Sequence, residues 1–435
     1  MGVSKGIVRA VGLCVAGGLV ASCGAVTARS SAGTAKPSPP PSPSGSPSAG
    51  VASFYTYPAA GTIKGKTAGE VFASEPLQVT PGLAAAAARA KRIMYRSDGQ
   101  GGEPVAVTGF ALTPQGTPPK DGWPVVAWAH GTTGVGPDCA PSREPGLSLS
   151  PDGQDEKLIT NLLRGGYAVV GTDYPGFGFP GRVQGYLQLG PESNSVVDSV
   201  RAARHLDSAL GTRWFAVGHS QGGAAALGAG EIAAKQASDL KYLGTVSLAP
   251  VSNLGDAVDG LAKLRPPYAP GWGRTASYLT YIAIGAQRST PSVAYSDLLP
   301  PRLVRQIPAA ERLCLAPLSE HLEGLDPQPP ALVNADWGTS KALRAFFAQA
   351  QPAHAKSSGP VLLLQGGKDT TVAPELTEKL KGQLCGLKDQ VEYKAYANAD
   401  HDGLLDVSFQ DLAAWLSARA NGKKAASDCG GAGGQ

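Results

Sequence analysis

From about residue 85 almost to its end, the chain alternates short, β-rich apolar runs with stretches of helical periodicity. That alternation belongs to a parallel sheet with covering helices. The expected strands are Val105 to Leu112, Val125 to Ala129, Ala168 to Asp173, Trp214 to Gly218, Leu243 to Leu248, Val361 to Leu364 and Val391 to Tyr396. Helices are expected near Leu158 to Arg164, Ser195 to Leu206, Gly222 to Lys235, Pro374 to Gln383 and Leu404 to Ala418. The pattern reads as one α/β domain over residues 53–429. Between Ser252 and Ser358 the alternation stops, and Pro266, Pro267, Tyr268, Trp272, Tyr278 and Tyr281 stand in a stretch far too long for a plain connection. An inserted, mainly helical cap over 252–358 is the expectation.

The first residues read differently. Lys5 and Arg9 precede an apolar, small-residue run from Ala10 to Ser22 that is too short to span a bilayer, so 1–22 reads as an export signal. The run ends Leu19-Val20-Ala21-Ser22-Cys23, which resembles the lipobox of bacterial lipoproteins and makes Cys23 the expected lipidation site; a plain cleaved signal is the alternative. Residues 23–52 contain the Pro/Ser tract Lys36 to Gly50, a semi-rigid tether that reaches on the order of 45 Å at about 3.1 Å per residue. Residues 430–435 read as a flexible tail. The expected location is extracellular, on the outer face of the cell membrane, with membrane contact only through the lipid. A formal net charge of +4 over 435 residues makes no concentrated positive field, so no nucleic-acid partner is expected. With 42% hydrophobic residues the chain has ample apolar material for a core, which excludes disorder throughout. Cys139, Cys314, Cys385 and Cys429 remain in the exported domain, and an even count there favours two disulfides over a metal site. Three connectivities are open on sequence alone.

Gly218-His219-Ser220-Gln221-Gly222 matches G-x-S-x-G, which by itself means little in a chain with 57 Gly. Its context decides: it directly follows the strand Trp214-Phe215-Ala216-Val217 and directly precedes the small-residue run Gly222 to Leu227. A strand-turn-helix crossing of this kind exposes the middle hydroxyl at the carboxyl end of the sheet. A serine hydroxyl needs a base, and His401, between the last strand and the last helix, is the histidine placed to supply one. His205, His321, His354 and His130 fall elsewhere, and His219 is expected to point away from the site. Asp369, after the apolar strand Val361 to Leu364 and a Gly turn, is the expected orienting acid. Asp400 and Asp402 read as solvated loop charges and Asp173 as structural. The oxyanion donors are expected to be the Gln221 amide and an amide of Thr132 or Thr133, in the loop His130-Gly131-Thr132-Thr133-Gly134.

With these residues in place, the chain resembles the α/β-hydrolase superfamily and, within it, the secretory lipase family of lipase A type in a bacterial lipoprotein version. The tract Asp138-Cys139-Ala140-Pro141-Ser142, the run Asp173-Tyr174-Pro175-Gly176, the order Ser220, Asp369, His401 and the long insertion carry the likeness. The resemblance implies a mostly parallel sheet flanked by helices with an inserted helical cap, and a serine hydrolase of carboxylic esters, lipase or carboxylesterase. Its substrate would be a lipid-like or small ester, with no metal or organic cofactor. It also implies the pairs Cys139 with Cys314 and Cys385 with Cys429. A peptidase or acyltransferase on the same fold, or a lipid-anchored binding protein without catalysis, are the alternatives.

Overall fold

The computed structural model describes residues 53–149, 153–268 and 270–430. The expected signal, Cys23, the tether and all but the first residue of the tail lie outside the described residues. The nine strands are β1 (Val71–Pro76), β2 (Ala87–Asp98), β3 (Pro104–Pro114), β4 (Trp123–Ala129), β5 (Ala168–Thr172), β6 (Leu210–His219), β7 (Lys241–Leu248), β8 (Val361–Gly366) and β9 (Val391–Tyr396). They form one sheet in the order β1-β2-β3-β5-β4-β6-β7-β8-β9. From β5 to β9 every neighbouring pair is parallel, while β1, β2 and β3 pair antiparallel along one side. Every residue of β4, β5 and β8 is buried, as a strand covered on both faces must be.

The sequence expectation began too late along the chain. The 12 residues of β2 start Ala87-Ala88-Arg89-Ala90-Lys91-Arg92, a helix-favouring composition that hides a strand. Tertiary context wins here: β2 pairs with β3 along its length, and Ile93 and Tyr95 bury against Val107 and Ala202.

The longer helices are α1 (Gln154–Arg164), α2 (Leu189–Leu206), α3 (Gln221–Gln236), α4 (Leu254–Ala262), α5 (Gly273–Ser289), α6 (Leu315–Glu323), α7 (Lys341–Ala350), α8 (Pro374–Gly386) and α9 (Leu404–Ala420). On one face of the sheet, Leu158, Ile159 and Leu162 of α1 and Leu412 and Leu416 of α9 pack with Val126, Trp128 and Val217. On the other, Val196, Val197 and Val200 of α2 and Ala225, Ala226 and Ala229 of α3 pack with Val125, Ala127 and Ala216. No described helix is long and apolar enough to cross a membrane.

Between β7 and β8 the described residues contain helices and no strand, as the interrupted alternation foretold. α4 to α7 close over a core of their own that includes Tyr281, Ile284, Leu318 and Phe346. Two disulfides tie the parts together: Cys139–Cys314 joins the loop after β4 to the start of α6, and Cys385–Cys429 joins α8 to the C-terminal segment. They close loops of 175 and 44 residues. The chain-entropy argument gives them about 5 and about 4 kcal/mol.

The topology selects where chemistry can sit. After β4 the chain crosses to β5 on one side, and after β5 it crosses back to β6 on the other. The connections that leave the carboxyl ends of β4 and β6 therefore run to opposite sides, opening the crevice in which open α/β sheets bind their ligands.

Candidate active site

Ser220 stands between β6 and α3 with φ 57° and ψ −117°, a backbone conformation costly for any residue but glycine. The surroundings hold it there. Its amide donates to the Leu248 carbonyl at 2.9 Å, and its own carbonyl accepts from Val251 and Ala224, both at 3.2 Å. The turn also demands glycine on either side. A Cβ on Gly218 would lie 2.1 Å from the Gly222 carbonyl oxygen, and one on Gly222 would lie 1.9 Å from that of Ala129. This is the physical content of the G-x-S-x-G spacing: helix and strand approach so closely that only hydrogen fits.

His401 follows β9 and Asp369 follows β8. The His401 Nδ1 and the Asp369 Oδ2 lie 2.7 Å apart, and both residues are buried. Burial by itself would raise the Asp369 pKa, but His401 and the amides of Val372 and Thr371, each amide 2.8 Å from Oδ1, hold it below the usual carboxylate range. An ionised carboxylate only accepts, so the His401 proton sits on Nδ1 and Nε2 carries the lone pair. Among the described residues nothing is hydrogen-bonded to that Nε2, and His401 lines a cavity of about 270 Å³ that Ser220 also lines. The serine and the imidazole thus line one cavity, and the acid is bonded to the imidazole nitrogen turned away from it.

The loop after β4 meets them there. Gly131, Thr132 and Thr133 line the same cavity, and a Cβ on Gly131 would come within 3.8 Å of the Ser220 Cβ. The Thr132 hydroxyl is engaged with that of Tyr186 at 2.6 Å, and the Thr133 hydroxyl donates to the Cys139 carbonyl at 2.8 Å. The Thr133 carbonyl accepts from Leu315 of α6 at 2.8 Å, so the loop is held between its own disulfide and the cap. Gln221 opens α3, where its amide has no intrahelical acceptor. Its side chain points back into the protein, donating to Glu192 Oε1 at 2.7 Å. Asp173 accepts from the Thr108 and Ser142 hydroxyls and the Ser142 amide in a fully buried cluster, a structural role as expected.

Two residues differ from the sequence expectation. His219 does not point away: it lines the cavity, its ring lies 4.5 Å from that of His401, and its Nε2 donates to the His401 carbonyl at 3.0 Å. Burial, and then the neighbouring His401, depress its pKa well below the ordinary imidazole value, so it stays neutral. Neighbours in sequence gave no hint that residue 219 would meet residue 401. Asp402 is not a solvated loop charge either. It lines the cavity and pairs with Arg274 of α5 at 3.0 Å, fastening the cap to the loop that carries His401. Asp400 is the one that stays local, accepting from the Gly403 amide.

Among the described residues, the group of side chains that could hold a cation is His219, His401 and Asp402, with donor atoms within 4.8 Å of one another. Each already has a partner, in the His401 carbonyl, Asp369 and Arg274 respectively.

The sequence model of the secretory lipase family matches residues 147–263, which span α1, the elbow at Ser220 and the start of the cap. The comparison with curated proteins gives no match. Among solved structures, lipase A from Candida antarctica in its closed state superposes with a TM-score of 0.69 at 17% identity, covering 87% of each chain. The rice cell wall degrading esterase LipA from Xanthomonas oryzae superposes with a TM-score of 0.63 at 18% identity, covering 82% of this chain and 98% of the esterase. At these identities the superpositions establish a shared fold. The family match adds a likeness to secretory lipases over the segment that carries the elbow.

Proposed function

We propose that the chain is a serine ester hydrolase, a lipase or carboxylesterase working through an acyl-enzyme, with Ser220 as nucleophile, His401 as base and Asp369 as its orienting acid. The observation that carries this reading is the meeting of a strained elbow serine with a histidine whose Nδ1 is 2.7 Å from a buried carboxylate, in one cavity. His401 Nε2 takes the hydroxyl proton as Ser220 attacks the ester carbonyl. The oxyanion that forms is held by the Gln221 amide and an amide of the Thr132–Thr133 loop. Collapse expels the alcohol, which leaves with the proton from His401; the same imidazole then activates water against the acyl-serine. Asp369 keeps the tautomer and stabilises the imidazolium that exists between the two transfers.

The two disulfides fit an oxidising compartment, and we place the enzyme outside the cell, on a Pro/Ser tether lipidated at Cys23. The expected domain limits, 53–429 for the hydrolase and 252–358 for the cap, follow the same reading.

The test is replacement of the nucleophile. Ser220→Ala is expected to reduce hydrolysis of a short 4-nitrophenyl ester by about 10⁶-fold, down to what binding and oxyanion donors alone supply, with an unchanged circular dichroism spectrum. Retention of activity near the wild-type rate in a folded variant would refute the assignment.

A further inference from the structure

The cavity beside Ser220 carries more charge than the triad requires. Asp155, Asp402 and Arg274 all line it. Arg274 is already paired with Asp402 at 3.0 Å, so those two charges cancel locally. Among the described residues Asp155 has no such partner. It is the second residue of α1 and is 8% exposed. Its Oδ2 accepts from the Ser148 hydroxyl at 3.1 Å, while no described group is hydrogen-bonded to its Oδ1.

A carboxylate in the first turn of a helix is ordinarily solvated and stabilised by the positive end of the helix, which keeps its pKa low. Asp155 goes the other way. Burial, only partly offset by the Ser148 hydroxyl and reinforced by Asp402, pushes it up to about 6. An ordinary helix-start acid has no reason to be buried against the cavity that Ser220 lines, with one oxygen that no described group engages.

That oxygen asks for a hydrogen-bond donor, and the uncompensated charge asks for a cation. A substrate hydroxyl would meet the first demand only, a quaternary ammonium the second only. A protonated amine meets both.

We propose that Asp155 is a specificity residue, binding an ammonium group of the ester substrate, so that the preferred substrates are esters carrying a protonated amine. This rests on the reading of Ser220 as the nucleophile, since it uses the same cavity. Nothing in the charge balance of the wall favours an anionic substrate: beneath His401 stands the ionised Asp369.

The experiment compares small competitors of 4-nitrophenyl acetate hydrolysis at pH 7.5, with enzyme-free rates subtracted. n-Butylammonium is expected to compete with an inhibition constant at least about 10-fold lower than that of 1-butanol, and butyrate is expected to compete no better than the alcohol. In Asp155→Asn the ratio between the ammonium and the alcohol is expected to fall to about one, whatever the variant's own turnover. Equal inhibition by the two in the wild-type enzyme would overturn the proposal without need of a variant, as would an undiminished preference in folded Asp155→Asn. Failure of the underlying reading is distinct: the wild-type enzyme would then not hydrolyse 4-nitrophenyl acetate, or Ser220→Ala would hydrolyse it as well.

Discussion

Asp369 illustrates how much of the proposed chemistry is decided by single atoms. Its Oδ1 accepts the Thr371 and Val372 amides, its Oδ2 accepts from His401 and, at 3.2 Å, from Gln365 Nε2. An amide in its place would present NH₂ to the same imidazole or to the two backbone N–H groups, and either choice sets donor against donor. His401 would then turn over to the tautomer with its lone pair facing inward, leaving Nε2 protonated and unable to accept from Ser220. Asp369→Asn is therefore expected to lower kcat by about 10⁴-fold with little change in KM, measured with a soluble short ester. A loss confined to KM would argue that the carboxylate binds substrate instead. His219 adds a brace that residue-by-residue reasoning missed, because its hydrogen bond to the His401 carbonyl spans 182 positions.

At the scale of elements, the parallel half of the sheet was legible because β4, β5 and β8 are continuous apolar runs, β9 alternates, and helices separate them. β4 to β9 all fell within a few residues of their expected limits. The antiparallel part was less legible, since β1 and β2 both went unread. β3 was expected, whereas the alanines and bases of β2 carry a helical composition and only pairing with β3 makes them a strand. The elbow was legible for a steric reason, since Gly218 and Gly222 are required by contacts at about 2 Å that a side chain would violate. The cap could be delimited by the loss of alternation, yet its contribution to the site could not be read. Arg274, Tyr278 and Leu315 reach the cavity from α5 and α6 through packing that no local pattern encodes. The pairing of Cys139 with Cys314 was implied only by the family resemblance; the structure places the two at the junction of the Thr132–Thr133 loop and α6.

For the molecule as a whole, buried acids set how stability responds to pH. Glu192 is 1% exposed between α2 and the elbow, accepting from Gln221, Gln184 and the Leu187 amide, and burial outweighs those bonds to push its pKa to about 7. Asp198, also in α2, is pushed to about 7 for the same first cause. Between the ordinary carboxylate range and pH 7 the folded protein holds protons on these groups that the unfolded chain has released. Stability from them is thus greatest in acid and is lost as the pH rises toward 7, by on the order of 3 kcal/mol for Glu192. Thermal melts from pH 5 to pH 8 are expected to show Tm falling in the wild type and falling less in Glu192→Gln, whose neutral side chain keeps an acceptor for Gln221. Parallel curves would mean that Glu192 titrates as it does in water.

The proposed triad requires His401, held by Asp369, to take the proton of Ser220 as it attacks, and covalent capture reads that reactivity. Incubation of the wild-type protein with a fluorophosphonate, followed by peptide mass spectrometry, is expected to place one adduct on Ser220, and Asp369→Asn is expected to slow its formation by orders of magnitude. Absence of any adduct on Ser220, or equal labelling rates in the two proteins, would contradict the account.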